Sequence, residues 1–147
     1  MSDQKDQFTV VTTPKDISPS EIAKVYNSVG FTIPETFYSQ PDFKDRMFAP
    51  GAFGFFIFKG GELIGAARAL SDDSICTWIP ELCVMPDWQN KGIGSLLVQS
   101  IVERFSHTSI YAEAFKGKER VLEKFGIRPK NKLVSCSRAF TKNETQA

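Results

Sequence analysis

The feature that most constrains the fold is a strand, a polar turn and a helix in direct succession, from Glu81 to Ser106. An apolar strand end is followed by a Pro-containing turn, and apolar residues then recur with helical spacing at Ile93, Leu96, Leu97, Ile101 and Phe105. Such a junction presents backbone N–H groups at a helix N-terminus, where glycine lets an anion approach the main chain. We therefore predict an anion-binding cradle at this turn, ahead of a helix over Ile93 to Ser106.

Two common phosphate-binding signatures do not fit these glycines. A Walker loop needs Lys followed by Ser or Thr after its second Gly, whereas Lys91 precedes both glycines. A dinucleotide-binding fingerprint needs a third Gly, and Leu97 stands at that position. A purely structural interpretation, in which the glycines serve a tight turn and close packing, stays open.

The remaining match is Gln89-x-x-Gly92-x-Gly94, which follows Leu82-x-Val84. This order of parts resembles the acetyl-coenzyme A motif of the GNAT superfamily of N-acetyltransferases. The resemblance implies that the coenzyme's pantetheine arm is bound by backbone groups of the strand and its pyrophosphate by the turn. The cofactor-binding residues would be Leu82, Cys83, Val84, Gln89, Asn90, Lys91, Gly92, Ile93, Gly94 and Ser95.

Length and charge exclude several other classes of function. The chain has 147 residues and a net charge of +1, which predicts one domain, 1–147, without a basic footprint for nucleic acid or membrane. Three cysteines without paired spacing suggest neither a disulfide framework nor a metal site. We expect a cytoplasmic protein, with residues 1–7 and 141–147 as flexible tails.

The remaining elements predict an α/β fold. Strands are expected at Phe8–Thr13, Ala52–Lys59, Glu62–Leu70, Ile75–Met85, Ile110–Ala112 and Leu133–Phe140. Helices are expected after the capping box Ser18-Pro19-Ser20-Glu21, at Asp42–Phe48, at the central junction and at Lys118–Phe125. This alternation indicates three layers around a mixed sheet of roughly six to seven strands, with about four helices.

The GNAT resemblance extends over residues 8–140 and adds one specific expectation. Two adjacent parallel strands, Ile75–Met85 and Ile110–Ala112, would splay apart to admit the pantetheine arm. Within the superfamily, the run Ile64–Asp72 looks most like the small arylalkylamine-type enzymes of plastids and bacteria.

Acetyl transfer from a thioester to an amine requires a neutral amine and a polarised carbonyl. The Val84 backbone N–H is our candidate oxyanion donor and Glu81 our candidate base, acting directly or through a water. A solvated or salt-bridged Glu81 is an equally weighted alternative. The general acid is missing, because Leu122 stands where the family usually has Tyr and Phe115 where it often has Asn. Solvent or Tyr111 would have to protonate the thiolate.

Four further features admit two interpretations each. The aromatic and acidic stretch from Phe31 to Pro50 forms either a pocket for a cationic amine or a loop that packs into the core. Arg68 is either salt-bridged or an anion contact. Cys83 is a small buried hydrophobe rather than a nucleophile, and His107 is a helix C-terminal cation rather than a catalyst.

We therefore expect an acetyl-coenzyme A-dependent N-acetyltransferase that acts on a small primary amine by direct transfer in a ternary complex, without a metal. One alternative is a domain that senses acyl-coenzyme A and transfers poorly. Another is a protein-modifying acetyltransferase. Dimers are common in the superfamily, so a homodimer is an open expectation.

Overall fold

The computed structural model describes residues 7–114 and 116–138. Its strands are β1 (Thr9–Val11), β2 (Ala52–Lys59), β3 (Glu62–Ser71), β4 (Cys76–Val84) and β5 (Ser109–Ala112). Its helices are α1 (Pro19–Ser28), α2 (Glu35–Tyr38), α3 (Phe43–Met47), α4 (Ile93–Arg104) and α5 (Arg120–Glu123), with a 3-10 turn at Pro86–Trp88. The mixed α/β fold is confirmed.

The five strands form one sheet in the order β1-β2-β3-β4-β5, antiparallel except for the parallel pair β4–β5. The hairpin between β2 and β3 turns at Gly60 and Gly61, whose φ angles of 57° and 82° suit glycine and produce the predicted two-residue turn. The expected sheet of six to seven strands is thus larger than the one formed by the described residues.

Two predicted elements differ from the structure. Residues 133–138 form no strand, with Leu133 and Val134 exposed, and the rest of the predicted Leu133–Phe140 strand lies outside the described residues. The predicted Lys118–Phe125 helix is the shorter α5. The predicted tails also lie outside the described residues, apart from the exposed Gln7.

Helices cover both faces of the sheet and define two cores. On one face α4 packs through Ile93, Leu97 and Ile101 against residues of β2, β3 and β4. On the other face α1 packs through Ile22, Val25 and Tyr26. This arrangement confirms the three layers, with the sheet between α4 and α1.

Small residues of β3 allow α4 to approach the sheet closely, as the sequence suggested. A Cβ atom added to Gly65 would lie 3.1 Å from Ile93 Cγ2 and 3.4 Å from Leu97 Cδ1. Helix α1 begins as predicted, with the Glu21 N–H donating to Ser18 Oγ and the Ser18 N–H donating to Glu21 Oε2.

A surface ion-pair cluster ties the β3–β4 turn to the C-terminal end of α4. Arg104 donates to both carboxylate oxygens of Asp73 at 2.9 and 2.8 Å, and His107 Nε2 lies 2.9 Å from Asp73 Oδ1. His107 thus contacts the turn and lies apart from the β4–α4 junction. Its predicted structural role agrees with this position.

We expect Asp73→Asn to lower the melting temperature at pH 7 and to lose this effect in acid. Hydrogen bonds from Arg104 are the main reason that the pKa of Asp73 falls from 3.8 to about 2. The ionised carboxylate therefore contributes stability above pH 3.8, and this contribution disappears as the pH falls toward 2. Asn tolerates the φ of 56° at this position. Melting curves of both proteins from pH 7 to pH 2.5 measure the effect, and a pH-independent difference would contradict it.

Candidate active site

A β-bulge in β4 separates the part of the strand that pairs with β5 from the part that does not. Between the pairs Leu70–Trp78 and Arg68–Glu81, β4 has one residue more than β3. Pro80 lies within this bulge, where the missing N–H costs no sheet hydrogen bond. Among residues 7–114 and 116–138, β5 pairs with Cys76–Ile79 and no further, and no other strand pairs with this edge of β4. The predicted splay therefore begins at Ile79, and Pro80–Val84 form an open strand edge.

Strand pairing determines which backbone groups of β4 point toward this open edge. The Met85 N–H donates to the Ile64 carbonyl at 2.9 Å. Because backbone groups alternate in direction along a strand, Cys83 and Glu81 also pair with β3, whereas the N–H groups of Leu82 and Val84 point away from it. Of the three strand residues predicted to contact the pantetheine arm, Leu82 and Val84 therefore have backbone groups that point to the open edge, and Cys83 does not.

The turn after β4 is held by local hydrogen bonds and two left-handed residues. The Gln89 side-chain amide donates to the Val84 carbonyl at 3.0 Å, which links the turn to the end of the strand. Asn90 and Gly92 have φ angles of 62° and 84°. Gln89 and Asn90 are therefore structural parts of the turn, whatever else they bind.

Helix α4 begins without a side-chain cap. Gly92 is its N-cap residue, and the first turn contains no acidic side chain. The N–H groups of the first turn lack partners within the helix, and the helix dipole adds partial positive charge there. The Ile93 side chain is buried in the core, so this residue offers only its backbone. This N-terminus has the features of an anion-binding site.

Two lysines lie beside this N-terminus. Lys91 Nζ lies 5.1 Å from the centre of the Trp88 ring. Lys124 Nζ lies 3.3 Å from Ser95 Oγ, because α5 packs against the start of α4, where Gly94 leaves room for Val121. Sequence reasoning missed Lys124. No local motif connects it with Ser95, which lies 29 positions earlier in the chain.

On the opposite face of the sheet, Glu81 forms a bidentate ion pair with Arg68. Arg68 Nε donates to Glu81 Oε2 at 2.9 Å, and Nη2 donates to Oε1 at 2.6 Å. Arg68 Nη1 also donates to the Met47 carbonyl at 3.0 Å. The bonds to Glu81 raise the pKa of the Arg68 guanidinium, so this side chain stays charged. Each Glu81 oxygen retains acceptor capacity, since a carboxylate offers about four lone-pair positions.

A cleft of about 610 Å³ opens above this ion pair. Its walls come from α1, from α3 and from the loop around α2, and the ion pair belongs to its lining. The lining residues are Tyr26, Gly30, Phe31, Thr32, Ile33, Phe37, Phe43, Arg46, Met47, Arg68 and Glu81. Of the aromatic residues in the Phe31–Pro50 stretch, only Phe31, Phe37 and Phe43 belong to this lining. Tyr38, Phe48 and the acidic residues Glu35, Asp42 and Asp45 do not.

Tyr26 contributes a buried hydroxyl to this cleft. The side chain is 2% exposed, and its oxygen makes no hydrogen bond of good geometry within the described residues, although the Arg68 guanidinium lies close enough to interact with it. It lies near Arg68 and Glu81. Burial, followed by the negative charge of Glu81, raises the pKa of Tyr26 well above its usual value. Tyr26 therefore stays protonated at neutral pH, as a neutral neighbour of the ion pair.

Burial or position argues against Cys83 as a nucleophile and against Leu122 and Tyr111 as proton donors to the thiolate. Cys83 is fully buried, and burial raises the pKa of its thiol to about 12, so it remains protonated at neutral pH. Leu122 is 6% exposed and packs within the protein. Tyr111 is exposed and pairs with Trp78, before the splay begins. Phe115 lies outside the described residues.

Comparison with known proteins identifies the family. Residues 21–127 match the Acetyltransferase (GNAT) family. The chain belongs to this family. Proteins of this family use acetyl-coenzyme A, and the sequence resemblance predicts that it would bind at the open β4 edge and the α4 N-terminus.

One relative is similar in sequence, and solved structures share the fold. GCN5-related N-acetyltransferase 3, chloroplastic, of Arabidopsis thaliana is 33% identical over 86 residues, which cover 56% of this GNAT chain and 36% of the relative. The match thus spans about a third of that relative's length. A probable acetyltransferase from methicillin-resistant Staphylococcus aureus has a TM-score of 0.73 at 16% identity, covering 92% of this chain and 100% of its own.

A third similar protein is a structure of AAC(6')-Iy in complex with the bisubstrate analogue CoA-S-monomethyl-acetylneamine. It has a TM-score of 0.70 at 11% identity and covers 92% of this GNAT chain and 100% of its own.

Within residues 7–114 and 116–138, no helix is long and apolar enough to cross a membrane, and no cluster of His, Cys, Asp and Glu is arranged to hold a metal ion.

Proposed function

We propose that this GNAT protein transfers an acetyl group from acetyl-coenzyme A to the primary amine of a small molecule. The observation that carries the proposal is the arrangement around β4. Its open edge leads to the uncapped N-terminus of α4, while Glu81 lies on the same strand at the base of a cleft. A thioester beside the edge and an amine in the cleft would meet at this strand.

In this proposal the pyrophosphate is bound by the turn from Gln89 to Ser95. Its oxygens would accept from first-turn N–H groups of α4, and Lys91 and Lys124 would supply positive charge. The pantetheine arm would follow the outward backbone groups of Leu82 and Val84. Cys83 is less suited to contact the pantetheine arm than the sequence predicted, because its backbone pairs with β3.

The proposed chemistry is direct transfer. Glu81 accepts a proton from the bound ammonium, directly or through a water, and the neutral nitrogen attacks the thioester carbonyl carbon. The new C–N bond forms as the C–S bond breaks, and the Val84 N–H stabilises the developing oxyanion. The attacking nitrogen loses its second proton to solvent, and the thiolate takes a proton from solvent, since Leu122 offers none. A covalent route through Cys83 is disfavoured by its burial and its raised pKa.

A labelled-acetyl assay tests the proposal. The protein would be incubated with isotopically labelled acetyl-coenzyme A and a panel of primary amines, and the products measured by mass spectrometry. Labelled acetyl-amine supports the function. Coenzyme binding without transfer to any amine would instead support the sensing alternative. Labelling of lysines on intact proteins, but not of free amines, would support the protein-modifying alternative.

Two further properties belong to this proposal. A reducing, cytoplasmic location agrees with the three cysteines, which are free in the structure. The protein would form a homodimer, since dimers are common in this superfamily. Gel filtration with light scattering would test this.

A further inference from the structure

Arg68 is a charged side chain in the middle of a strand that is otherwise small and apolar. Its neighbours on β3, Ala67 and Ala69, are fully buried. Arg68 lies directly opposite Glu81 in the β3–β4 pairing, where side chains are close enough to interact across the strands. The β4 bulge begins immediately beyond this pair. The strand thus places one guanidinium against the proposed base.

Three hydrogen bonds from three different nitrogens fix the orientation of this guanidinium. Its Nε and Nη2 donate to the two carboxylate oxygens of Glu81 at 2.9 and 2.6 Å. Its Nη1 donates at 3.0 Å to the carbonyl of Met47, the last residue of α3. A guanidinium is planar and rigid, so these bonds together determine where the Glu81 oxygens lie. They also tie Glu81 to the cleft wall, because Met47 belongs to its lining.

The charge of Arg68 is already paired, which argues against a role in binding an anionic ligand. Such a ligand would have to compete with Glu81 for the same fork of N–H groups. Tyr26 of α1 and Cys83 of β4 also lie near the Glu81 carboxylate, but their raised pKa values keep both neutral at neutral pH. Among the described residues, Arg68 is therefore the cation that is paired with Glu81, and Arg46 is a second cation in the cleft lining.

We propose that Arg68 is a positioning residue for acetyl transfer, which holds the Glu81 carboxylate in the orientation that accepts the ammonium proton. An unpaired glutamate would rotate about its side-chain bonds, and a misplacement of about 1 Å can cost about 100-fold in rate. Arg68 itself neither gains nor loses a proton in this role. The inference rests on the acetyltransferase function proposed above.

Arg68→Lys tests this role because it keeps the positive charge but removes the fork of parallel donors. We expect kcat to fall by about 10-fold or more, while KM for acetyl-coenzyme A changes by less than about 2-fold. The matched control is Arg104→Lys, which makes the same change in the bidentate pair with Asp73, outside the cleft. This control should keep the turnover of the wild type.

A double-mutant cycle with Glu81→Gln separates positioning from a general structural role. If Arg68 acts through Glu81, adding Arg68→Lys to Glu81→Gln should lower the residual kcat by less than about 2-fold. A decrease as large as in the wild-type background would overturn the inference and leave the acetyltransferase function intact. Unchanged kcat in Arg68→Lys alone would do the same.

Melting curves show whether each variant is folded, since Arg68 and Glu81 are only 22% and 15% exposed and loss of their pairing costs stability. If the lysine variant is unfolded, Arg68→Gln, which retains a neutral donor, replaces it in the same cycle with the same expected outcome. Absence of both coenzyme binding and transfer in the wild type would instead overturn the proposed function, and this inference with it.

Discussion

Glu81→Gln is expected to lower the acetyl-transfer rate by about 100-fold or more, the usual contribution of a positioned general base. Gln preserves the shape of the side chain and can still accept one hydrogen bond from Arg68, but it cannot take the ammonium proton. Affinity for acetyl-coenzyme A should change little, because the Glu81 side chain lies in the cleft and not at the α4 N-terminus. The measurement is kcat across a range of pH, together with a coenzyme titration.

Glu62→Gln is the matched control, since Glu62 is exposed at the start of β3 and does not line the cleft. It should retain wild-type turnover. Melting curves of both variants separate loss of catalysis from loss of folding, because Glu81 also stabilises the partly buried Arg68. If Glu81→Gln kept both its rate and its pH profile, the ion pair with Arg68 would be purely structural and the proposed base would be wrong.

Ser95→Asp is expected to weaken acetyl-coenzyme A binding by about 100-fold, or roughly 2.7 kcal/mol. The new carboxylate would lie in the first turn of α4, where it repels a phosphate and attracts Lys124 away from it. The same substitution should leave the free protein at least as stable. An acidic residue in the first turn interacts favourably with the helix dipole, by about 0.3–1 kcal/mol.

The control for this variant is Gln99→Asp, one helical turn later on the exposed face of α4. It adds the same charge away from the N-terminal N–H groups and should change coenzyme affinity by less than about 3-fold. Calorimetric titration measures affinity for all three proteins, and thermal melting measures their stability. Equal affinity in wild type and Ser95→Asp would mean that the coenzyme does not bind at this helix end.

The elements that could be predicted from the sequence have local signals. The α1 capping box and the Gly60-Gly61 turn each depend on residues within a few positions of one another, and both are present in the structure. The β4–α4 junction is of the same kind, because its glycines and its helical periodicity lie in one continuous stretch. Local rules were sufficient for the framework of the site.

Elements that depend on tertiary partners could not be predicted in this way. Strand propensity at Leu133 and Val134 was misleading, because residues 133–138 pair with no strand in the structure. Helix α2 is not among the predicted helices, since Pro34 makes the stretch look irregular; in the structure this proline precedes the first helical residue, where it is tolerated. The cleft depends on similar long-range placement, since Tyr26, Arg46 and Glu81 come from separate elements.

The central claim is that the turn before α4 binds acetyl-coenzyme A, and calorimetric titration of the purified protein tests it most directly. We expect a dissociation constant in the micromolar range, or about −8 kcal/mol. Subsequent injection of candidate amines into the same cell would then reveal the acceptor by the heat of reaction. An absence of binding at millimolar coenzyme would contradict the claim and reduce the junction to a structural turn.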